Sequence, residues 1–420
     1  MKDCFICIRK ERSLDRKACG VGDSRMNVLM VISQFKPIIG GAEKQAELLA
    51  HALVRKGINV TIVTGWLRPG TPRKEIVDGM RIVRNFSCLR LFGAEKNLIV
   101  RILGGISYVI SLAMFLVKHG REYDILHVHQ VLYPAFISAF IGKGLLKKPI
   151  LAKMGCSGLT SDIRNIKRFA LGGLQLRYLI KKMDCVVTVN HEGVEDFRAL
   201  GYPLSKIHHI PNGVASPRDG KTNYDNVRSV ITTVRLDHQK GLDILLRAWV
   251  QVGGREKDVR LLIIGKGPHE LELKKLSKTL GFGDSVIFMG EVNHVEEYLK
   301  TSDIFVLASR AEGMSNALLE AMSHGLTCIA TNISGNVELM GTGDGHDIPR
   351  GEFTIVRNGL LVEPEDIEGL AKAILFLIQN QRARKDLGEK GRKHVEQNYS
   401  IDLIAEKYIR LYRDLLQELN

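Results

Sequence analysis

Residues 303–325 read DIFVLASRAEGMSNALLEAMSHG. The run DIFVLAS is apolar almost throughout and of strand length, as expected for a strand covered on both faces. SRAEGMS is polar and carries a glycine, so it reads as the exit loop of that strand. NALLEAMSHG repeats apolar residues at helical spacing, with Ser315 or Asn316 as N-cap and Gly325 as terminator. Strand, loop and helix in this order are the building step of a doubly wound α/β sheet. The loop leaves the carboxyl end of the strand, where open α/β sheets gather ligands. Glu312 stands in that loop, and Glu320 stands about one turn inside the helix.

The same step recurs on both sides of this stretch. RSVITTV (228–234), VRLLIIG (259–265), SVIFMG (285–290) and LTCIATN (326–332) are further strands, and LDILLRAWVQV (242–252) and ELELKKLSKTLG (270–281) are helices between them. An earlier series begins after Met26. Its strands are NVLMVIS (27–33), INVTIVTG (58–65), MRIVRNF (80–86), DILHVH (124–129), KPILAKMG (148–155) and DCVVTVN (184–190). Its first helix is GGAEKQAELLAHALVRKG (40–57). Between the two series, HIPNGVASPRDGKTNYDN (209–226) concentrates proline, glycine, asparagine and aspartate, which marks a linker. The chain therefore reads as α/β, with two Rossmann-like doubly wound domains, 26–210 and 211–399, facing across a cleft. The last stretch, SIDLIAEKYIRLYRDLLQEL (400–419), has helical spacing of apolar residues and needs a surface to cover.

The 420 residues carry a formal net charge of +14. That balance favours nucleic acid, an anionic membrane face or phosphorylated ligands. No arginine-rich recognition helix or zinc-finger spacing stands out, so nucleic acid is not an expected partner. Cys4, Cys7, Cys19, Cys88, Cys156, Cys185 and Cys328 are odd in number and scattered, which reads as free thiols in a reducing cytosol. The C-x-x-C pair Cys4 and Cys7 has no companion pair and reads as part of a basic, flexible extension, residues 1–25. That extension lacks the apolar core of a signal peptide, so a cytoplasmic location is expected. LIVRILGGISYVISLAMFLV (98–117) is about one bilayer long and holds a single charge, Arg101. Its paired glycines and the strand that follows favour a helix covering a sheet or facing a membrane; a membrane span is the alternative.

Three further stretches carry chemistry. GGAEKQ (40–45) follows the first strand and its loop. Gly40 and Gly41 would let backbone approach a ligand, and the helix start beyond them presents free N–H groups; a plain tight turn is the other reading. The dinucleotide pattern G-x-G-x-x-G is absent, and the second strand ends without an acidic residue, which argues against a dinucleotide. TTVRLDHQKGLDILL (232–246) puts Arg235 and Lys240 on the loop leaving another strand, where two cations suit a diphosphate or simply a solvated loop. IIGKGPHE (263–270) gives a glycine-bearing loop, with Gly265 and Gly267, at an equivalent place. The N–H groups around Ser315, Asn316, Ala317 and Leu318 would face an anion at the helix start. Carboxylates accept hydrogen bonds from sugar hydroxyls, so Glu312 and Glu320 suit the two sugars of a nucleotide diphosphate sugar. Glu320 alone would read as a helix-surface carboxylate.

Taken in order, GGAE, R-L-x-x-x-K-G and E-G-x-x-N-A-x-x-E resemble the retaining glycosyltransferases of the GT-B fold, family 4. The resemblance runs from about Met26 to the C-terminus. It implies that Arg235 and Lys240 hold the donor diphosphate and stabilise the leaving nucleotide. It also implies that Glu312 contacts the transferred sugar, Glu320 the ribose, and Gly40 and Gly41 the diphosphate and acceptor side. In HVHQ, His129 would reach the transferred sugar, and the final helix would cross back onto the N-terminal domain. Val234 stands where the family usually has glycine, SGNVEL (334–339) replaces a proline-bearing turn, and MGTGDGHDIPRGEF (340–353) is longer than usual.

The expected activity is retaining, metal-independent transfer from a nucleotide-sugar donor to a glycan or lipid-linked acceptor. The expectation of no metal and no cofactor rests on the cations and on the lack of a D-x-D triplet. The basic charge and the apolar stretch suit a peripheral site on the cytoplasmic membrane face and a role in surface polysaccharide or glycolipid synthesis. The alternatives are a nucleotide-sugar epimerase on the same fold and a non-catalytic nucleotide-sugar-binding subunit.

Overall fold

The structure, a computed structural model, describes residues 25–38, 40–89, 98–131, 133–155, 162–167, 171–217, 219–341 and 347–418. Cys4, Cys7, Cys19 and Cys156, nearly all of the basic extension and part of the 340–353 loop lie outside these residues. Cys88, Cys185 and Cys328 are free thiols.

The first sheet contains β1 (Asn27–Val31), β2 (Asn59–Trp66), β3 (Lys74–Val77), β4 (Met80–Phe86), β5 (Ile125–His129), β6 (Ile150–Lys153), β7 (Cys185–Thr188) and β8 (Ile207–His209). Their order is β3-β4-β2-β1-β5-β6-β7-β8. The second contains β9 (Ser229–Thr233), β10 (Arg260–Ile264), β11 (Val286–Gly290), β12 (Ile304–Leu307), β13 (Thr327–Thr331), β14 (Phe353–Val356) and β15 (Gly359–Val362), in the order β11-β10-β9-β12-β13-β15-β14. All pairings are parallel except the hairpins β3–β4 and β14–β15. Asp78 and Gly79, both at positive φ, form the two-residue turn of the first hairpin, as an Asp-Gly pair favours. The parallel strands are buried on both sides: Leu29, Val31, Ile62 and Val128 in one sheet, Ile231, Ile263, Val306 and Ile329 in the other are fully enclosed. Each such side chain gains about 1.5–3 kcal/mol from leaving water.

The strand order reverses at β1, which lies between β2 and β5, and again at β9, which lies between β10 and β12. Connections leaving adjacent strands in opposite directions open a crevice at their carboxyl ends. The crevice of the first sheet is bounded by the loop after β1, residues 32–38, and by the end of β5, where His129 stands. That of the second is bounded by the 234–240 loop after β9 and the 308–315 loop after β12.

Two helices depart from plain layer packing. The helix Leu98–His119 turns Tyr108, Leu112 and Leu116 into the first domain's core. Its opposite face leaves Ile99, Ile102, Ile106, Ile110, Met114 and Val117 exposed. It is long and apolar enough to cross a membrane by length and composition, yet one face covers a sheet. The helix Ile401–Gln417 follows the second domain's last helix but buries Ile404, Tyr408, Tyr412 and Leu415 in one cluster with Leu49 and Leu53 of the first domain. Ion pairs Arg55–Asp402 and Lys56–Glu406 line its edge, at 2.8 and 2.7 Å. The chain thus crosses between domains twice, and the crossings run side by side: Val214 N–H donates to Tyr399 O at 2.9 Å and Ile401 N–H to Val214 O at 2.9 Å.

Candidate active site

The loops after β9 and β12 are welded together by backbone geometry and one arginine. Gly241 has φ +61°, and a Cβ there would lie 1.9 Å from Ala308 O, so the approach of the two loops requires glycine. Arg310 grips Asp243 with two hydrogen bonds of 2.8 Å, donates to His238 O at 2.6 Å, and pairs with Glu365. Those bonds, Asp243 first, hold the guanidinium above its ordinary pKa. Gln239 Nε2 donates to Ala311 O at 2.7 Å, completing the seam.

On this platform Lys240 Nζ donates to Glu312 Oε1 at 2.6 Å, and Ser309 Oγ donates to the same oxygen at 2.7 Å. The Glu312 side chain is only 7% exposed, and Oε2 has no partner among the described residues. Arg235 is 71% exposed and touches Asp237 through Nε alone, at 2.9 Å. The sequence suggested two free cations. The structure has one open guanidinium and one ammonium neutralised by Glu312, because the seam brings residue 240 against residue 312.

Gly265 and Gly267 are required by the packing of two exit loops. A Cβ on either would meet Val234 O at 2.0 Å or Leu236 O at 2.2 Å. Both glycines therefore let the β10 exit loop lie on the backbone that carries Arg235.

The helix Asn316–Ser323 begins with Ser315 as N-cap; Ser315 Oγ accepts from Leu318 N at 3.3 Å, and the Leu318 side chain is fully buried. The Leu318 N–H is thus used by the cap. The N–H groups of Asn316 and Ala317 have no partner among the described residues. Gly40 caps the facing helix Gly41–Arg55 without a side-chain bond. The N-terminal ends of these two helices meet. Asn316 Nδ2 donates to Gly41 O at 3.1 Å, and a Cβ on Gly41 would lie 3.1 Å from that nitrogen. Two helix N-termini that meet, with the exposed Arg235 on a loop leaving the second sheet's carboxyl edge, suit a polyanion.

Further contacts tie the walls together. Lys44 pairs with Glu320 at 2.7 Å, so the carboxylate expected at a ribose faces a lysine of the opposite domain. Asn190 Nδ2 donates to Gly313 O at 2.7 Å, Gln45 exchanges two bonds with Gly213 at 2.9 and 3.0 Å, and His209 pairs with Glu338 at 2.8 Å. Asn212 Nδ2 donates to Asn316 Oδ1 at 2.9 Å while its own Oδ1 accepts from Lys153 Nζ at 2.8 Å. Of these, Lys44, Lys153, Asn190 and Asn212 escaped the sequence reading; only the neighbourhood of Lys44 to GGAE pointed to the cleft.

His129 ends β5 and is 2% exposed. Its ring stacks on His127 with centroids 4.4 Å apart, and its Nε2 has no partner among the described residues. His127 Nδ1 in turn shares a 2.7 Å hydrogen bond with the Tyr412 hydroxyl of the terminal helix. Burial, helped by the nearby Lys153 charge, pushes His129 down to about 3, so it is neutral at physiological pH. Gln130, the next residue, has φ +71°, a left-handed backbone that few side chains adopt.

Residues 39–216 match the family model described as Glycosyltransferase Family 4, and residues 218–394 match the model described as Glycosyl transferases group 1. The chain belongs to this glycosyltransferase family. The glycosyltransferase is 27% identical over 323 residues to N-acetyl-alpha-D-glucosaminyl L-malate synthase of Bacillus anthracis, spanning 74% of this chain and 80% of that one. Its fold is similar to that of sucrose-phosphate synthase from Thermosynechococcus elongatus, with TM-score 0.72, 21% identity and coverage of 94% and 100%. It is also similar to Anabaena HepE in complex with UDP-glucose, with TM-score 0.69, 18% identity and coverage of 93% and 100%. The two Rossmann-like domains read from alternating strands and helices, and the GT-B fold that the resemblance implied, are the architecture of these structures.

Proposed function

We propose that this glycosyltransferase moves a sugar, with retention, from a nucleotide diphosphate sugar to a lipid-linked glycan acceptor at an anionic membrane face. The observation that carries the donor is the meeting of two helix N-termini, Asn316 Nδ2 on Gly41 O, at the second sheet's crevice, whose 234–240 loop carries the exposed guanidinium of Arg235. Positive charge fixed in that way stabilises a departing diphosphate without a metal ion. The UDP-glucose bound by Anabaena HepE is a donor of this class.

In this reading Arg235 and the N–H groups of Asn316 and Ala317 hold the diphosphate. Lys240 turns from Glu312 toward it as the donor enters. Glu312 Oε2 accepts from a hydroxyl of the transferred sugar, and Glu320 leaves Lys44 to accept from the ribose. The bond from the anomeric carbon to the phosphate oxygen breaks, and the acceptor oxygen bonds on the same face. The departing phosphate takes the acceptor's proton. His129, being neutral, orients a hydroxyl and is neither acid nor nucleophile. Gly40 and Gly41 leave room for the acceptor, and closure of the domains keeps water out.

The membrane reading rests on the helix Leu98–His119. Its outward apolar face continues through exposed Phe140, Leu145 and Leu174, which lie on neighbouring segments. Arg101, Lys147, Arg177 and Lys181 are exposed on the same segments. An apolar face flanked by basic side chains binds anionic bilayers.

Thermal shift with UDP-, GDP- and ADP-sugars tests the donor. A true donor at a hundred times its Kd stabilises by about 2.7 kcal/mol, and the gain disappears in Arg235→Ala. If no nucleotide sugar raises the Tm, the donor assignment fails. Flotation with phosphatidylglycerol vesicles tests the membrane face; recovery of all protein at the bottom of the gradient would refute it.

A further inference from the structure

Lys153 ends β6 at the carboxyl edge of the first sheet, beside β5, where it stands in register with His129. It is 6% exposed, and among the described residues its ammonium has one bond, to Asn212 Oδ1, and no carboxylate partner. An ammonium has three N–H groups and a full charge. Enclosed lysines are ordinarily paired, since an uncompensated charge away from water is strongly unfavourable. Burial lowers its pKa to about 8, which leaves it mostly protonated at neutral pH. The adjoining His129 Nε2 is likewise enclosed and without a partner among the described residues. Asn212 links Lys153 to Asn316, whose amide touches Gly41, so the charge lies two hydrogen bonds from where the two helix ends meet. The left-handed backbone of Gln130 beside it is strain of the kind kept at ligand sites.

We infer that Lys153 and His129 form an oxyanion subsite on the first-domain wall, separate from the diphosphate cradle of the second domain, which receives a phosphate or carboxylate carried by the substrate. The inference rests on the donor reading for which side of the cleft is already taken. Lys153 bonds the oxyanion through its two unused N–H groups. His129, in the tautomer protonated at Nε2, supplies a third donor. Such a subsite would select acceptors bearing an acidic group next to the reacting hydroxyl, or donors whose sugar is a uronate.

The test uses the full chain as wild type, Lys153→Met and Lys153→Arg, each also in an Arg235→Ala background that disables the diphosphate cradle. Calorimetric titration with inorganic phosphate and with acetate, at constant ionic strength, reads the subsite directly. Binding is expected to persist in Arg235→Ala, to weaken at least tenfold with Lys153→Met, and to be partly restored by Lys153→Arg. Lys153→Met is expected to melt at or above the wild-type temperature, because it removes a charge that has no partner until ligand arrives. A structural lysine would do the opposite. Comparing UDP-glucuronate with UDP-glucose distinguishes the sources. Tighter glucuronate binding that Lys153→Met abolishes assigns the subsite to the donor sugar, whereas equal binding of both assigns it to the acceptor. Phosphate and acetate affinities unchanged in Lys153→Met, or a Tm several degrees lower, would overturn the proposal. The donor screen above can fail or succeed independently of these outcomes.

Discussion

Replacing Lys240 by methionine, Glu312 by glutamine, and both together tests the geometry at the centre of the donor site. The two charges are 2.6 Å apart, and their side chains are 21% and 7% exposed. At an effective dielectric constant of about 20, that contact is worth roughly 6 kcal/mol before desolvation is subtracted. Desolvation cancels most of it, so the pair is nearly neutral against an apolar pair, but removing one partner strands the other. Lys240→Met leaves the Glu312 carboxylate enclosed with only the Ser309 hydroxyl, a loss of about 3 kcal/mol. Glu312→Gln keeps an amide oxygen for Lys240 and Ser309, so about 1–2 kcal/mol is lost. The double variant should be less destabilised than the sum by about 2 kcal/mol. Calorimetry of the ligand-free protein reads this as a Tm drop of about 6–12 °C for Lys240→Met. If the three variants are additive, the pair does not form in solution, and the reasoning that places residue 240 against residue 312 is wrong.

Gly241→Ala forces a side chain into a left-handed conformation and against Ala308 O; a loss of at least about 2 kcal/mol is expected, and an unchanged melting curve would contradict it. Asn316→Ala cuts the links to Gly41 and Asn212, so small-angle scattering should report a larger radius of gyration, whereas an unaltered profile would show that the domains are held elsewhere. His129 has a folded pKa of about 3 against an ordinary 6.5, so between these values the unfolded chain binds the extra proton. Stability is therefore fully present above about pH 6.5 and is lost as pH falls, by up to roughly 1.4 kcal/mol per unit. Urea midpoints at pH 7 and pH 5 should separate more in wild type than in His129→Asn, and equal separations would show that His129 is solvated.

Most of the parallel strands were legible because each is a short apolar run followed by a polar, glycine-bearing loop and a helical repeat, as at residues 303–325; the short parallel strands Ile207–His209 and Gly359–Val362 were not. The two antiparallel edge strands were not legible either. Lys74–Val77 is four residues long and half solvated, and Phe353–Val356 pairs on one side only, so neither has the composition of a covered strand. The positions of Arg235, Lys240, Glu312 and Glu320 on exit loops and a helix start were also legible, since topology fixes which end of a strand faces the crevice. Their partners were not. That Lys240 meets Glu312 and that Lys44 meets Glu320 depends on how two loops and two domains close, which sequence spacing does not encode. Lys153 was hidden for another reason. In KPILAKMG it resembles any lysine at a strand end, and only the sheet order puts it beside His129.

The terminal helix has a consequence for how the protein is made. Residues 401–417 supply Tyr408 and Tyr412 to the interior of the half whose strands are synthesised first. That half cannot finish packing until those residues have left the ribosome, by which time the other half has been fully translated. The first domain must therefore wait as a loosely assembled sheet, open along the groove between residues 41–55 and the missing helix, during the translation of some two hundred residues. Nascent chains stalled before residue 401 should thus be captured by chaperones on their N-terminal half, and a fragment cut at the linker should not fold by itself.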